Sequence, residues 1–322
     1  MKPFEPRGIL KNHHLQTILP KYMPSKKYVP VEIEQIKTPD NDFFELFWFS
    51  KKQLYSSELP IIVIFHGLEG GLQSHYVQQI VTTFKQAGWI CVLMTYRGCG
   101  NLINHTAKAY HAGKTEDIRL AIEHIRGIFT ENFMLGVGIS LGGSMLTHTL
   151  ARFTQNPLLT AATLVSVPFN LAKSLQKLQT GLAKYYQRYL LTSLKQKAWA
   201  KKNLLKPIIG GDIEKIKTLK TIKAFDDLIT APLYGFRDAN DYFERCSAIN
   251  IINGISIDTL IIQAEDDPMV DNTDLEDYPF KSYINLELTR HGGHVGFIQG
   301  KLVNPQPWLP NTILHYWQSY LN

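Results

Sequence analysis

Residues 138–142 read Gly-Ile-Ser-Leu-Gly. A serine set between glycines in this way becomes a nucleophile when a sharp strand-to-helix turn lifts its hydroxyl clear of a sheet edge, at the N-terminus of the next helix. The flanks supply that context. The apolar run Phe-Met-Leu-Gly-Val occupies 133–137, and a helical pattern follows over 141–153. The chemistry on offer is attack of Ser140 on an acyl carbonyl to give a covalent acyl-enzyme. Such a serine needs a base, an acid to orient the base, and two amide donors for the oxyanion.

The base is sought in Arg-His-Gly-Gly-His-Val-Gly-Phe, residues 290–297, a glycine-rich loop after the last expected strand. His294 is favoured over its neighbour His291, because an imidazole there can swing over the serine and titrates near neutrality. The acid is sought in Glu265-Asp266-Asp267-Pro268, at the end of the strand expected over 259–264. Asp267 is favoured because the following proline fixes the turn; Asp266 stays open as the alternative, and Glu265 as a weaker one. For the oxyanion hole the residue after the nucleophile, Leu141, gives one backbone N–H. Leu68 gives the other, from His-Gly-Leu-Glu-Gly-Gly at 66–71. The order Ser, Asp, His along the chain is that of the α/β-hydrolases.

These residues need a sheet to hold them. Segments 31–36 and 43–49 read as a hairpin around Pro-Asp-Asn-Asp at 39–42. Strand patterns at 61–65, 89–94, 133–137 and 161–167 then alternate with helical patterns at 76–87, 115–128 and 141–153, which predicts right-handed crossovers and a parallel sheet. The alternation stops at Pro168, and residues 169–250 read as mainly helical. Strands resume at 259–264 and 284–288, with a closing helix at 311–320. The expected architecture is an α/β fold: a mostly parallel eight-stranded sheet flanked by helices, with the core at 31–167 and 251–322. A helical cap is inserted at 168–250. Residues 1–30, with Pro3, Pro6, Pro20, Pro24 and Pro30, read as an extended arm wrapping the domain.

The cap is where charge collects. Between Leu171 and Lys223 stand thirteen Lys or Arg and two acids, a net +11, which leaves −5 on the rest of a chain of +6. Leu171, Leu175, Leu178, Leu182, Tyr185 and Tyr189 recur at spacings of four and three, an apolar helical stripe flanked by Lys173, Lys177, Lys184 and Arg188. One reading packs that stripe on the pocket with its cations in solvent. The other lets a basic amphipathic lid meet an anionic membrane surface or an anionic acyl substrate. Aromatics at 225 and 232–236 line an acyl pocket on one reading and fill the cap core on the other.

Composition narrows the class further. With 44% hydrophobic and 19% charged residues the 322-residue chain is an ordinary globular one. The longest apolar run, 89–94, is too short to span a bilayer. Cys91, Cys99 and Cys246 show neither metal nor disulfide spacing, and the N-terminus lacks a signal-peptide core, so a cytoplasmic protein is expected. Local rather than general basicity argues against nucleic acid as a partner, and no cofactor or metal is implied.

Taken together these residues resemble the α/β-hydrolase superfamily and, within it, the YheT-like branch, with its plant EMB-like and animal α/β-hydrolase-domain lipase members. Leu-Lys-Asn-His-His-Leu-Gln-Thr-Ile-Leu-Pro at 10–20 is similar to the branch's N-x-H-L-Q-T-I arm. Tyr-Arg-Gly-Cys-Gly-Asn at 96–101 with Tyr-His-Ala-Gly-Lys-Thr-Glu-Asp at 110–117 is similar to its R-G-C…Y-H-x-G-x-T-x-D block, and 292–297 to its G-G-H-V-G-F loop. The resemblance implies a triad of Ser140, Asp267 and His294, with Leu68 and Leu141 at the oxyanion hole, and hydrolysis of a small-molecule acyl ester. It leaves the arm and Arg97 as either structural or substrate-shaping. The animal members' N-terminal membrane anchor has no counterpart expected here, so their integral membrane residence is not carried over, and their phospholipid or acylglycerol substrates follow less directly from the resemblance.

Overall fold

A computed structural model of the chain describes residues 3–23, 26–50, 59–155 and 157–321. Its centre is an eight-stranded sheet of β1 (Glu32–Lys37), β2 (Phe43–Trp48), β3 (Ile61–Phe65), β4 (Ile90–Thr95), β5 (Met134–Ile139), β6 (Ala161–Val165), β7 (Asp258–Ala264) and β8 (Ile284–Thr289), in the order β1-β2-β4-β3-β5-β6-β7-β8. The β1–β2 and β2–β4 pairings are antiparallel; the remaining pairings are parallel. β3 to β6 are buried along their whole length, which is why they read as unbroken apolar runs rather than alternating ones.

The two faces of β3 sort its side chains by period two. Ile61, Val63 and Phe65 enter one core with α3 (Glu116–Ile128) and α4 (Leu141–Arg152), through Ile118, Ile125, Met145 and Leu146. Ile62 and Ile64 enter the other with α2 (His75–Gln86) and α11 (Leu309–Gln318), through Val77, Phe84, Ile313 and Trp317. The sheet is thus covered on both sides, and β3, β5 and β7 all end at the same edge, where the loops carrying the candidate chemistry begin.

After β6 the chain leaves the sheet for α5 (Leu171–Leu178), α6 (Ala183–Ala200), α7 (Lys202–Ile209), α8 (Ile222–Phe225), α9 (Ala231–Tyr234) and α10 (Ala239–Cys246). The single apolar stripe expected across 171–189 is corrected here. Gly181, at φ 46, turns the chain between α5 and α6. Leu171 and Leu178 are buried, whereas Leu182, Tyr185 and Tyr189 are 57%, 67% and 66% exposed. A stripe read on one helical wheel is two half-stripes that point different ways.

The arm also departs from expectation. Instead of an extended strap, it forms a 3₁₀ turn at Gly8–Lys11, α1 (His13–Ile18) and a second 3₁₀ turn at Leu19–Tyr22. Asn12 caps α1, its side chain accepting from the His14 and Leu15 amides at 3.0 Å each. Met1, Lys2 and Pro24 of the arm lie outside the described residues. One pair of strands has no counterpart in the sequence reading: β9 (Ile298–Lys301) and β10 (Asn304–Pro307), a hairpin between the histidine loop and α11. Pro305 and Pro307 argue against a strand and are tolerated because this sheet has only edges.

Candidate active site

Ser140 sits between the last residue of β5 and the first of α4 at φ 53, ψ −123, a backbone region that L-residues rarely occupy. The glycines explain how the turn closes. A Cβ on Gly138 would lie 2.6 Å from the Gly143 Cα, and one on Gly142 would overlap the carbonyl oxygens of Phe65 and His66. Strand, helix and the loop after β3 therefore meet at van der Waals distance around the serine. Its amide is fixed by the Val165 carbonyl at 2.8 Å.

His294 reaches the serine from the loop after β8, with Nε2 3.1 Å from Ser140 Oγ. Its Nδ1 lies 2.8 Å from Asp267 Oδ2. Asp267 is fully buried, and its other oxygen accepts the amides of Met269 and Val270 at 2.7 and 3.0 Å. A buried carboxylate held this way keeps the proton of the imidazole on Nδ1, which leaves Nε2 free to accept the serine hydroxyl. The structure brings Ser140, His294 and Asp267 into one line.

The competitors form a separate pair alongside. Asp266 accepts the Gly293 amide at 2.9 Å and faces His291 Nδ1 at 3.2 Å. Burial pushes the Asp266 carboxyl pKa up, opposed by the Gly293 amide and His291. Glu265 is exposed. None of the three bonds to Ser140 or His294.

Leu141 is the first residue of α4, so its amide has no carbonyl of its own helix to bond. The Leu68 amide belongs to the loop after β3, and that loop is pressed onto the nucleophile: a Cβ on Gly67 would lie 3.2 Å from that of Ser140. The residues that hold this loop are given no such role by the sequence, although Tyr96 and Tyr110 open the two halves of its R-G-C…Y-H block. Tyr76 accepts the Gly67 amide at 2.9 Å. The Tyr96 hydroxyl donates to the His66 carbonyl at 3.0 Å, and burial lowers the His66 pKa to about 4, so that ring stays neutral. Glu69, at φ 57, is tied down by Tyr110, which accepts its amide and donates to its carboxylate, and its Oε2 pairs with Lys197 of α6 at 3.1 Å. The loop that carries Leu68 is thereby linked to the helical cover.

Two cavities meet at Ser140. One, of about 170 Å³, runs under α5 to α9; leucine is its commonest lining residue, as at Leu171, Leu175, Leu178, Leu194 and Leu205, with Glu69, Arg97, Lys197, Lys201 and Asp226 also at its wall. The other, of about 360 Å³, lies on the histidine side between the arm and α6, walled by Thr17, Ile18, Tyr185, Tyr186 and Tyr189. Leu68, Ser140, Met269 and His294 border both.

Arg97 borders the smaller cavity, but its guanidinium is fully engaged by carboxylates. It makes a two-pronged pair with Asp117, 2.7 Å on each arm, and its remaining nitrogen reaches Asp40 at 2.7 Å and Asp42 at 3.3 Å. That ties the hairpin turn to β4 and α3. Among the described residues no group of three or more His, Cys, Asp or Glu side chains is set to hold a metal ion, and no helix is long and apolar enough to cross a membrane.

Comparison with known proteins agrees with the topology. Residues 60–301 match the family model for the alpha/beta hydrolase fold. YheT of Escherichia coli K12 is 38% identical over 322 residues, spanning 99% of this chain and 94% of that one. The mouse phospholipase ABHD3 is 28% identical, spanning 88% of this chain and 71% of its own. The Pyrococcus furiosus esterase Pf2001 superposes with a TM-score of 0.54 at 14% identity, covering 99% of this chain and 100% of that one, a likeness of fold alone.

Proposed function

Because the chain belongs to the α/β-hydrolase family and to its YheT-like branch, we propose that it is a serine hydrolase that cleaves carboxylic esters of a small to medium hydrophobic acyl group. The observation that carries this reading is the unbroken relay Ser140–His294–Asp267 at the mouth of a leucine-walled cavity. Ser140 Oγ attacks the acyl carbonyl while its proton passes to His294 Nε2. The oxyanion takes hydrogen bonds from the Leu68 and Leu141 amides. Collapse breaks the bond to the alcohol oxygen, which leaves with the proton from His294. Water, deprotonated by the same imidazole, then releases the acid and restores the serine.

The acyl chain lies in the leucine-walled cavity, and residues 168–250 act as its lid. The same relay serves a thioester, a monoacylglycerol or transfer to an acceptor other than water. A non-catalytic ligand-binding role is disfavoured by an elbow strained in the way that catalysis uses. Free Cys91, Cys99 and Cys246 support a reducing, cytoplasmic setting.

A second reading concerns the lid's outer surface. The exposed Leu182, Tyr185 and Tyr189 share that surface with Lys184 and Arg188, which favours peripheral contact with an anionic membrane. The double variant Lys184→Glu, Arg188→Glu should then associate less with vesicles containing phosphatidylglycerol; equal association discards the membrane reading.

A fluorophosphonate probe tests the core of the proposal. It should label the wild type and fail to label Ser140→Ala. Absence of labelling of folded wild type ends the hydrolase reading.

A further inference from the structure

The arm carries the most distinctive motif in the chain and has no role in the relay just described, yet it touches the active site twice. Its outer face, Thr17, Ile18, Lys21 and Tyr22, forms one wall of the larger cavity; Tyr185, Tyr186 and Tyr189 of α6 form the other. The walls are joined across the gap. His14 Nδ1 lies 2.9 Å from the Tyr186 hydroxyl, and Lys21 Nζ sits over the Tyr189 ring at 4.9 Å. Its inner face holds the histidine loop. Thr17 Oγ1 accepts the His294 amide at 3.0 Å and donates to the His13 carbonyl at 2.8 Å. Gln16, wholly buried, donates to the Leu10 and Ile298 carbonyls and accepts the Ile298 amide at 2.7 Å.

That loop needs holding. Gly292, Gly293, Val295 and Phe297 all have positive φ, at 148, 55, 57 and 45. A non-glycine residue in such a conformation persists only where its surroundings over-determine it. A Cβ on Gly293 would lie 2.5 Å from the His13 carbonyl oxygen and 2.7 Å from Thr17 Oγ1, so the arm and the loop are in direct backbone contact.

We propose that the cavity between the arm and α6 is the leaving-group subsite, built for a bulky, hydroxyl-bearing alcohol, and that Thr17 positions the histidine that protonates that alcohol. The inference rests on the serine hydrolase reading above. Its logic is one of protons. The leaving oxygen must reach His294 Nε2; His294 borders both cavities, and of the two it is this one that continues along the histidine loop past Val295 to Thr17, so the alcohol lies here and the acyl carbon chain takes the leucine side. The walls set the class of alcohol. Tyr22, Tyr76, Tyr185, Tyr186 and Tyr189 line the space together with Lys21, and among the described residues no carboxylate does. Small alcohols leave it unfilled, and a cationic head meets Lys21 with no counter-charge.

Methyl and glyceryl esters of one short acid provide the test. The wild type should show kcat/KM about tenfold higher for the glyceryl ester, the worth of one or two hydrogen bonds. Ile18→Trp, which narrows the cavity from the arm side, should collapse that ratio toward one. Thr17→Val keeps the shape and removes the acceptor, so it should lower kcat by a factor of about ten for the methyl ester, whose alcohol leaves the cavity unfilled and therefore reports the positioning role alone. Thr17→Ser should restore kcat. A ratio that Ile18→Trp does not move overturns the subsite. Full kcat in Thr17→Val, or no rescue by Thr17→Ser, overturns the positioning role. Fluorophosphonate labelling of Ser140, whose leaving group is only fluoride, separates these failures from failure of the hydrolase reading: a wild type that labels but shows no ester preference loses the subsite alone.

Discussion

Asp267→Asn is the perturbation for which the structure gives the clearest expectation. Asp267 Oδ1 accepts two backbone amides, from Met269 and Val270, and Oδ2 faces His294 Nδ1 at 2.8 Å. An asparagine has one oxygen and one NH₂. The two amide donors will hold the oxygen, because an NH₂ aimed at them would bury two unmade bonds. The NH₂ is then left pointing at His294 Nδ1, which must become an acceptor. The ring proton moves to Nε2, and Nε2 can no longer accept from Ser140 Oγ. The geometry survives with the wrong tautomer. For such a change kcat falls by roughly 10³ to 10⁴, about 4 to 5.5 kcal/mol of transition-state stabilisation. KM should hardly move, since no wall of either cavity changes. The assay is hydrolysis of p-nitrophenyl butyrate, with melting temperature as the check on folding. Asp266→Asn is the matched control: its carboxylate bonds to Gly293 and faces His291, away from the relay. The reasoning is refuted if Asp266→Asn costs as much as Asp267→Asn, or if Asp267→Asn retains a tenth of the wild-type kcat.

Other expectations test the framework around the relay. Burial lowers the pKa of His66 and of His148 from 6.5 to about 4, so between those values the unfolded chain binds protons that the folded chain refuses. Their share of stability is complete above pH 6.5 and is lost as the pH falls toward 4, by up to ~1.4 kcal/mol per pH unit for each ring; a melting temperature constant from pH 7 to 4.5 would contradict it. Gly138→Ala sets a Cβ 2.6 Å from the Gly143 Cα, backbone that cannot step aside cheaply. Urea unfolding should report a loss of about 3 kcal/mol with weakened labelling of Ser140, and wild-type values in both would show the elbow less tightly packed than described. Leu194→Trp fills part of the leucine-walled cavity. The kcat/KM for an octanoate relative to a butyrate ester should drop about tenfold, the worth of one or two methylenes kept from burial; an unchanged ratio moves the acyl chain elsewhere.

What the sequence disclosed, and what it withheld, divides along range. The central strands β3 to β6 were readable because a buried parallel strand is an apolar run bounded by turn residues, as at 61–65 and 161–165. The elbow was readable because it is local: glycines two before and two after Ser140 are demanded by contacts only a few residues away in the chain, apart from those of Gly142. The cap stripe misled for a local reason as well, since helical periodicity carries no record of Gly181 turning the chain between two half-stripes. Asp266 and Asp267 are harder to tell apart. They are chemically identical neighbours, and what distinguishes them is which one faces His294, a contact across 27 residues.

The arm marks the far end of that scale. Its partners lie 277 residues away for Thr17 and 282 for Gln16. Its proline content reads as a loose strap, while its buried glutamine and capped helix act only against a loop near the other end of the chain. The motif at 10–20 marks these residues, but no local pattern in it names the distant loop they hold. The histidine loop adopts four positive φ values in six residues because the arm is there to hold it. Loss of the arm should therefore damage proton transfer before it damages the fold: the sheet has its own two cores, whereas the loop at 292–297 loses Thr17 from the His294 amide and keeps Asp266 on Gly293, Asp267 on His294, and His75 and Ser166 on Val295.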